Sequence, residues 1–106
     1  MQVLFDQGTP VPLRNYLTSH TVTTVFEKRW STMQNGELLL AAEREAFEVL
    51  VSTDQNLKHQ QNLSARRIAI VVLMTTNWRR IERKVNDVVA AINSAKPGDY
   101  IEVDFR

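Results

Sequence analysis

Cysteine is absent from the 106-residue sequence, which excludes disulfides, zinc sites with thiolate ligands and a thiol nucleophile. This composition is typical of a reducing compartment, and we expect a cytoplasmic protein. Long hydrophobic runs are also absent, because the longest, Ile68–Met74, is far shorter than the roughly 18 residues that span a bilayer. The chain does not begin with a basic segment followed by an apolar one, so we expect neither a signal peptide nor a membrane partner.

The sequence contains no internal repeat, low-complexity segment or linker. Its length is that of one ordinary domain, and 43% hydrophobic residues are enough for a packed core. We therefore expect a single domain over residues 1–106. A chain of this size has little room for a second module, so any functional site should lie at the edge of that one core.

Charge is distributed unevenly although the net charge is only +1. Residues 1–57 carry four basic and seven acidic side chains, whereas residues 58–84 carry seven basic side chains and a single acid, Glu82. The middle block is thus a basic patch that would suit a polyanionic partner such as RNA. The alternative is an ordinary solvated face, since lysine and arginine are usually exposed.

Hydrophobic patterning predicts strands that alternate with helices along the chain. Strands are predicted over 3–5, 21–26, 49–51, 68–74 and 100–105, and helices over 12–17, 36–47, 55–61 and from 78 to about 96, with Asn35 as a cap. This alternation predicts a three-layer α/β fold with a mostly parallel sheet of order 2-1-3-4. The last strand alternates apolar and polar residues, which indicates a half-exposed edge strand.

Three acidic residues follow elements that end at the same side of this sheet. Asp6 comes directly after the first strand, Asp54 follows the third, and Glu37 opens the helix between the second and third strands. Ligands bind beyond the carboxyl ends of parallel strands, where the winding reverses. In the predicted strand order the first and third strands are neighbours, so we expect Asp6, Glu37 and Asp54 to share one pocket.

Carboxylates gathered in one pocket repel each other unless a proton or a cation neutralises them. Oxygen ligands favour Mg²⁺ or Mn²⁺, and an ion held in this way can activate water against a phosphodiester. The three acids are therefore candidate metal ligands and catalytic residues. The alternative is that they are ordinary turn, cap and first-turn residues, which are common uses of acidic side chains.

Three segments resemble motifs of small PIN-like domains related to VapC-type toxin ribonucleases. They are Val3–Pro10 (VLFDQGTP), Asn35–Leu39 (NGELL) and Val49–Leu57 (VLVSTDQNL), and they occur in the family's order. The resemblance implies a PIN-like sheet and a ribonuclease that depends on Mg²⁺ or Mn²⁺, with Asp6, Glu37 and Asp54 in the catalytic and metal-binding roles. It also implies a toxin–antitoxin setting with an antitoxin-like protein partner.

The chain departs from that family pattern because amides stand where acids are expected, at Gln7, Asn35 and Asn56. An amide oxygen coordinates a cation without bringing charge, so these supporting residues should weaken metal binding. The sequence therefore predicts a weakened ribonuclease of the PIN-like toxin type. The alternative is a non-catalytic PIN-like module that binds a protein or a nucleic acid.

Basic side chains supply candidate nucleic-acid contacts, because RNA must be held by its phosphates. Arg79 and Arg80 begin the helix after the fourth strand, and Lys58 lies in the connection after Asp54. Trp30 could stack on a base, although packing is the commoner use of a lone tryptophan. The edge strand at the end of the sequence further predicts a homodimer.

A phosphoacceptor receiver domain is the rival fold of the same class. It also places aspartates after the first and third strands, and Thr75 would match its hydroxyl residue after the fourth. Three features count against it: one acid alone ends the first strand, Lys96 precedes the last strand, and no helix follows that strand.

Overall fold

The computed structural model describes residues 1–60 and 66–106, apart from the side chain of Gln60. The strands are β1 (Gln2–Phe5), β2 (Thr21–Thr24), β3 (Val49–Ser52), β4 (Ala69–Leu73) and β5 (Tyr100–Val103). The α-helices are α1 (Asn35–Arg44), α2 (Leu57–Gln60), α3 (Trp78–Arg83) and α4 (Val85–Ser94), and Val11–Tyr16 forms a 3-10 helix. The end of the predicted helix over 55–61 lies outside the described residues.

The five strands form one sheet of order β2-β1-β3-β4-β5, and every neighbouring pair is parallel. The predicted order 2-1-3-4 with an additional edge strand is confirmed. Every residue of β3 and β4 is buried, as expected for central strands covered on both faces. The winding reverses between β1 and β3, so the carboxyl ends of these two strands lie side by side.

Helices cover both faces of the sheet and create two hydrophobic clusters. One cluster joins inward residues of the 3-10 helix, α3 and α4, and the other joins those of α1 and α2. The three-layer α/β arrangement is therefore confirmed. Within the part of the chain that the structure describes, none of the helices is long and apolar enough to cross a membrane.

The predicted long helix after β4 is interrupted at Lys84, which leaves helical geometry with φ −120° and ψ 29°. Its apolar stripe still faces the sheet on both sides of the break, with Ile81 and Val88 fully buried. Arg80 and Lys84 are four residues apart, and like charges at that spacing destabilise a helix. Lys84 instead donates a hydrogen bond from its ammonium to the Arg106 carbonyl at 3.0 Å.

The predicted cap of α1 is wrong by one residue. Gln34 occupies the N-cap position without a side-chain cap bond, and Asn35 lies inside the first turn. The helix also ends at Arg44, short of the predicted residue 47, because Ala46 adopts a left-handed conformation with φ 63°. The side chain of Asn35 is directed to the loop after β3, where it donates a hydrogen bond to Asp54.

Neighbouring leucines of α1 provide a direct test of this packing. Leu39 is 0% exposed and Leu40 is 48% exposed. We expect Leu39→Ala to lower the free energy of unfolding by about 2–5 kcal/mol, since it removes buried methyl groups and leaves a cavity. Leu40→Ala is the matched control and should change it by less than about 0.5 kcal/mol. Urea denaturation of both variants measures the difference, and equal losses would contradict the described orientation of α1.

Candidate functional site

Two aspartates meet at the carboxyl edge of the sheet. Asp6 directly follows β1 and Asp54 lies two residues after β3, and these strands are parallel neighbours. Both side chains line one cavity of about 270 Å³, which we call the acid cavity. Gln7 and Asn35 contribute to its polar wall. The sequence prediction that Asp6 and Asp54 face each other at the switch point is thus matched by their placement.

Ser52 connects the two aspartates. Its side chain is completely buried at the end of β3, and its hydroxyl donates a hydrogen bond to Oδ2 of Asp6. The Ser52 hydroxyl oxygen in turn accepts a hydrogen bond from the backbone N–H of Asp54 at 3.0 Å. One hydroxyl therefore fixes one carboxylate and the loop that carries the other. Sequence reasoning missed Ser52, although a polar residue closing an apolar strand was a visible signal.

Gly8 holds the other side of Asp6. Its backbone N–H donates to Oδ1 of Asp6 at 3.1 Å. A Cβ at position 8 would lie 2.1 Å from the hydroxyl oxygen of Thr53, far inside normal contact. Glycine therefore permits the close approach of the loops after β1 and β3. This requirement was also missed by sequence reasoning.

The Asp6 carboxyl is less acidic than an ordinary aspartate. Burial raises its pKa most strongly, because the charged form loses water. The hydrogen bonds from Ser52 and Gly8 lower the pKa, and the nearby charge of Asp54 raises it further. The net direction is upward. A cation or a proton that neutralises this charge would consequently stabilise the folded chain.

Asn35 and Asn56 each donate a hydrogen bond to the carboxylate of Asp54. Its Oδ2 accepts a hydrogen bond from the side-chain nitrogen of Asn35 at 2.9 Å, and its Oδ1 accepts the backbone N–H of Asn56 at 2.9 Å. An ionised acid at position 35 could not donate such a bond. Asn35 is thus a hydrogen-bond donor to Asp54 at a position where an ionised acid would be a repulsive neighbour.

Glu37 does not join the two aspartates. It lies in the first turn of α1, is exposed, and is not part of the wall of the acid cavity. Its neighbours Leu38 and Leu39 are the buried residues of that turn, which leaves Glu37 on the solvent side. Among residues 1–60 and 66–106, no three histidine, aspartate or glutamate side chains are grouped closely enough to hold a metal ion.

The donor set fits Mg²⁺ or Mn²⁺ only as a weakly held ion. Two carboxylates are present, and each of their four oxygens already accepts one hydrogen bond. A carboxylate oxygen retains a second lone pair for a cation. Magnesium is commonly held by one or two carboxylates together with waters and substrate phosphates. Asp6 and Asp54 would suit that shared arrangement but would not make a closed protein site.

Arginine side chains lie at the same edge of the sheet. A second cavity, of about 310 Å³, is lined by the Asp104–Arg106 ion pair, by Thr75 and Gln55, and by Arg80. Gln55 directly follows Asp54, so consecutive residues line the two cavities. Arg79 is also exposed, and neither arginine forms an ion pair with another described residue.

Other candidate contacts are already used within the chain. The Lys58 ammonium lies 3.1 Å from a Glu102 carboxylate oxygen and 5.9 Å from the Tyr100 ring centroid. Trp30 lines the acid cavity, but the Lys28 ammonium lies 5.0 Å from the ring centroid. These contacts give Lys58 and Trp30 structural partners, whereas Arg79 and Arg80 remain available to a ligand.

Comparison with known proteins identifies no relative: no family model, curated protein or solved structure matches this chain. The relationship to PIN-like domains remains a prediction from three sequence motifs. The strand order agrees with the PIN-like sheet that the resemblance implies, whereas Glu37 lies outside the acid cavity.

The raised pKa of Asp6 predicts a pH-dependent stability difference. The folded state holds this proton more tightly than the unfolded state, so the ionised carboxylate destabilises the fold at neutral pH. We expect Asp6→Asn to be more stable than the wild type at pH 7 in metal-free buffer. The advantage should shrink as pH falls through the raised pKa toward that of the unfolded chain.

Thermal melts from pH 7 down to pH 3 measure this effect. The matched control is Asp87→Asn, because Asp87 is an exposed residue of α4 and lies outside the acid cavity. If the difference in melting temperature between Asp6→Asn and the wild type were the same at every pH, the buried charge of Asp6 would not be the cause of the lower stability.

Proposed function

We propose that this chain is a PIN-like ribonuclease of the toxin type with a weakened metal site, which binds RNA across the carboxyl edge of its sheet. The observation that carries the proposal is the placement of Asp6 and Asp54 in one cavity beside a second cavity that contains Arg80. Acids that need a cation and arginines that suit phosphates thus occupy one edge. The antitoxin-like protein partner is part of the proposal through the resemblance alone.

Different residues of the chain have different roles in the proposed phosphodiester hydrolysis. Arg79 and Arg80 hold the RNA backbone by its phosphates. Asp6 is the proton acceptor, since burial raises its pKa. One of its carboxylate oxygens takes a proton from the attacking water as the water oxygen bonds to phosphorus, and the P–O bond to the leaving oxygen breaks while that oxygen takes a proton from solvent water. Asp54 orients the attacking water, and the hydrogen bond from Asn35 fixes the position of the Asp54 carboxylate. A Mg²⁺ or Mn²⁺ ion bound beside them would supply Lewis acidity and a more acidic water.

Weak activity follows from the small number of ligands in the acid cavity. Two carboxylates face it, while Gln7 and Asn35 contribute neutral amides and Glu37 lies outside. Two carboxylates match the charge of a divalent ion but fill only part of its coordination shell, so waters and a substrate phosphate are needed to complete that shell. We expect metal and RNA to bind cooperatively and each to bind poorly alone.

A non-catalytic RNA-binding module is the second candidate, and one contact favours it. The Asn35 amide lies 2.9 Å from Oδ2 of Asp54, so a neutral donor occupies a direction from which a cation would approach. In this account the acid pair is stabilised by hydrogen bonds alone, and RNA is held by Arg79 and Arg80 without cleavage.

Metal binding separates these candidates. The ribonuclease proposal predicts that millimolar Mn²⁺ raises the melting temperature of the wild type, because an ion that binds only the folded state stabilises it. Asp6→Asn should remove this rise and Asp87→Asn should retain it. Asn35→Asp should enlarge the rise, since it adds a third acid beside Asp54. If Mn²⁺ changed the melting temperature of none of the four proteins, the ribonuclease proposal would be contradicted and the non-catalytic candidate would be favoured.

RNA binding tests the arginines. Replacing Arg79 and Arg80 together by alanine should weaken RNA binding. It should also reduce the slope of log affinity against log salt concentration by up to about two, because each phosphate contact that forms releases about one counterion. The matched control removes two charges from the opposite edge, with Arg44→Ala and Arg67→Ala. These residues lie at the end of α1 and before β4. Fluorescence anisotropy at several salt concentrations measures the slopes, and equal slopes for the two double variants would refute the proposed RNA path.

A further inference from the structure

The two edges of the sheet differ in how many backbone groups they expose. At the β2 edge, the N–H of Thr21 donates to the Met1 carbonyl and the N–H of Val25 donates to the Phe5 carbonyl, so both face β1. Backbone direction alternates along a strand, so Val22 and Thr24 point outward. The outward N–H of Thr24 donates to Glu27 Oε1 at 2.8 Å. The Thr24 carbonyl accepts the N–H of Lys28 at 3.2 Å, which leaves Val22 as the one outward residue of β2 without such a contact among the described residues.

The β5 edge is open over two residues. The carbonyls of Asp99 and Val103 accept hydrogen bonds from the N–H groups of Ile70 and Met74, at 2.8 and 3.0 Å, so the backbone groups of the odd-numbered residues face the sheet. The backbone groups of Tyr100 and Glu102 consequently face away from it. Within residues 1–60 and 66–106, no hydrogen bond reaches these outward N–H and carbonyl groups. Exposed strand edges of this kind pair with another strand.

We propose that β5 pairs antiparallel with β5 of a second copy, about a two-fold axis through Ile101. Opposite residues of an antiparallel pair share a face, so a symmetric pair must place one residue opposite itself. An axis through Glu102 would oppose two like charges, which is destabilising. An axis through Ile101 instead opposes two apolar side chains and sets Tyr100 of each copy against Glu102 of the other.

This register is complementary in both backbone and side chains. Tyr100 and Glu102 form hydrogen-bonded pairs across the interface, which gives four backbone bonds for the dimer. Within one copy, the Tyr100 hydroxyl already donates to Glu102 at 3.0 Å, and the Lys58 ammonium lies 3.1 Å from the same carboxylate oxygen. The carboxylates near the axis are therefore each neutralised within their own copy. Pairing then joins two five-stranded sheets into one sheet of ten.

Glu102→Pro tests the backbone pairing. Proline removes the outward N–H, and it is tolerated where that group faces solvent at an edge. Sedimentation at tens of micromolar should show a dimer for the wild type and a monomer for Glu102→Pro, both with cooperative thermal melts. Val22→Pro is the matched control at the other edge and should remain a dimer. Glu102→Gln keeps the N–H and should also remain a dimer.

Cysteine crosslinking gives a second readout that does not depend on the folding of the proline variant. The chain has no cysteine, and residues opposite each other in a non-hydrogen-bonded antiparallel pair lie about 4.5 Å apart at Cα, within disulfide range. Mild oxidation should convert Ile101→Cys into a covalent dimer and leave Val22→Cys largely monomeric. A monomeric wild type, a dimeric Glu102→Pro, or equal crosslinking at both edges would overturn the proposal.

Discussion

The Ser52 hydroxyl is the contact on which the acid cavity depends. It is buried between two loops, donates to Asp6 and accepts the backbone N–H of Asp54. Without it, two carboxylates at the ends of adjacent parallel strands would be free to move apart and lower their repulsion. Burial and this bond together hold them at one edge. Burial raises the pKa of Asp6, and the Ser52 bond offsets that rise only in part.

The sheet separates the charges of the molecule into two regions. At the carboxyl edge, Arg79 and Arg80 have no acidic partner among the described residues. At the opposite edge, the Arg66 guanidinium lies 3.0 Å from a Glu43 carboxylate, which also accepts backbone N–H groups of the segment that enters β4. The basic block of the sequence is therefore not one surface. Part of it anchors α1 to the sheet, and part remains available for phosphates.

Local patterns in the sequence were sufficient for the architecture. The continuous apolar run of β4 and the alternation of strands and helices predicted the layers and the strand order, because both follow from burial. The position of Asp6 and Asp54 followed from the same topology. The interruption at Lys84 was not predicted, since the apolar stripe continues on both sides and neither glycine nor proline occurs at the break.

The details of the site depend on contacts between residues far apart in sequence. The bond from Asn35 to Asp54 spans 19 residues and that from Ser52 to Asp6 spans 46. Asn35 was predicted as a helix cap from local preference, and tertiary contact gave its side chain another partner. Glu37 was expected in the pocket because it opens the helix, but the direction of its side chain depends on which face of α1 packs against the sheet.

The central claim is that the acid pair binds a divalent ion together with an RNA phosphate. Electron paramagnetic resonance can measure Mn²⁺ affinity with and without a single-stranded RNA that resists cleavage. Because coupling between two ligands is reciprocal, the account predicts that RNA tightens Mn²⁺ binding to the wild type and has no such effect on Asp6→Asn. The same Mn²⁺ affinity with and without RNA, or the same tightening in Asp6→Asn, would contradict it.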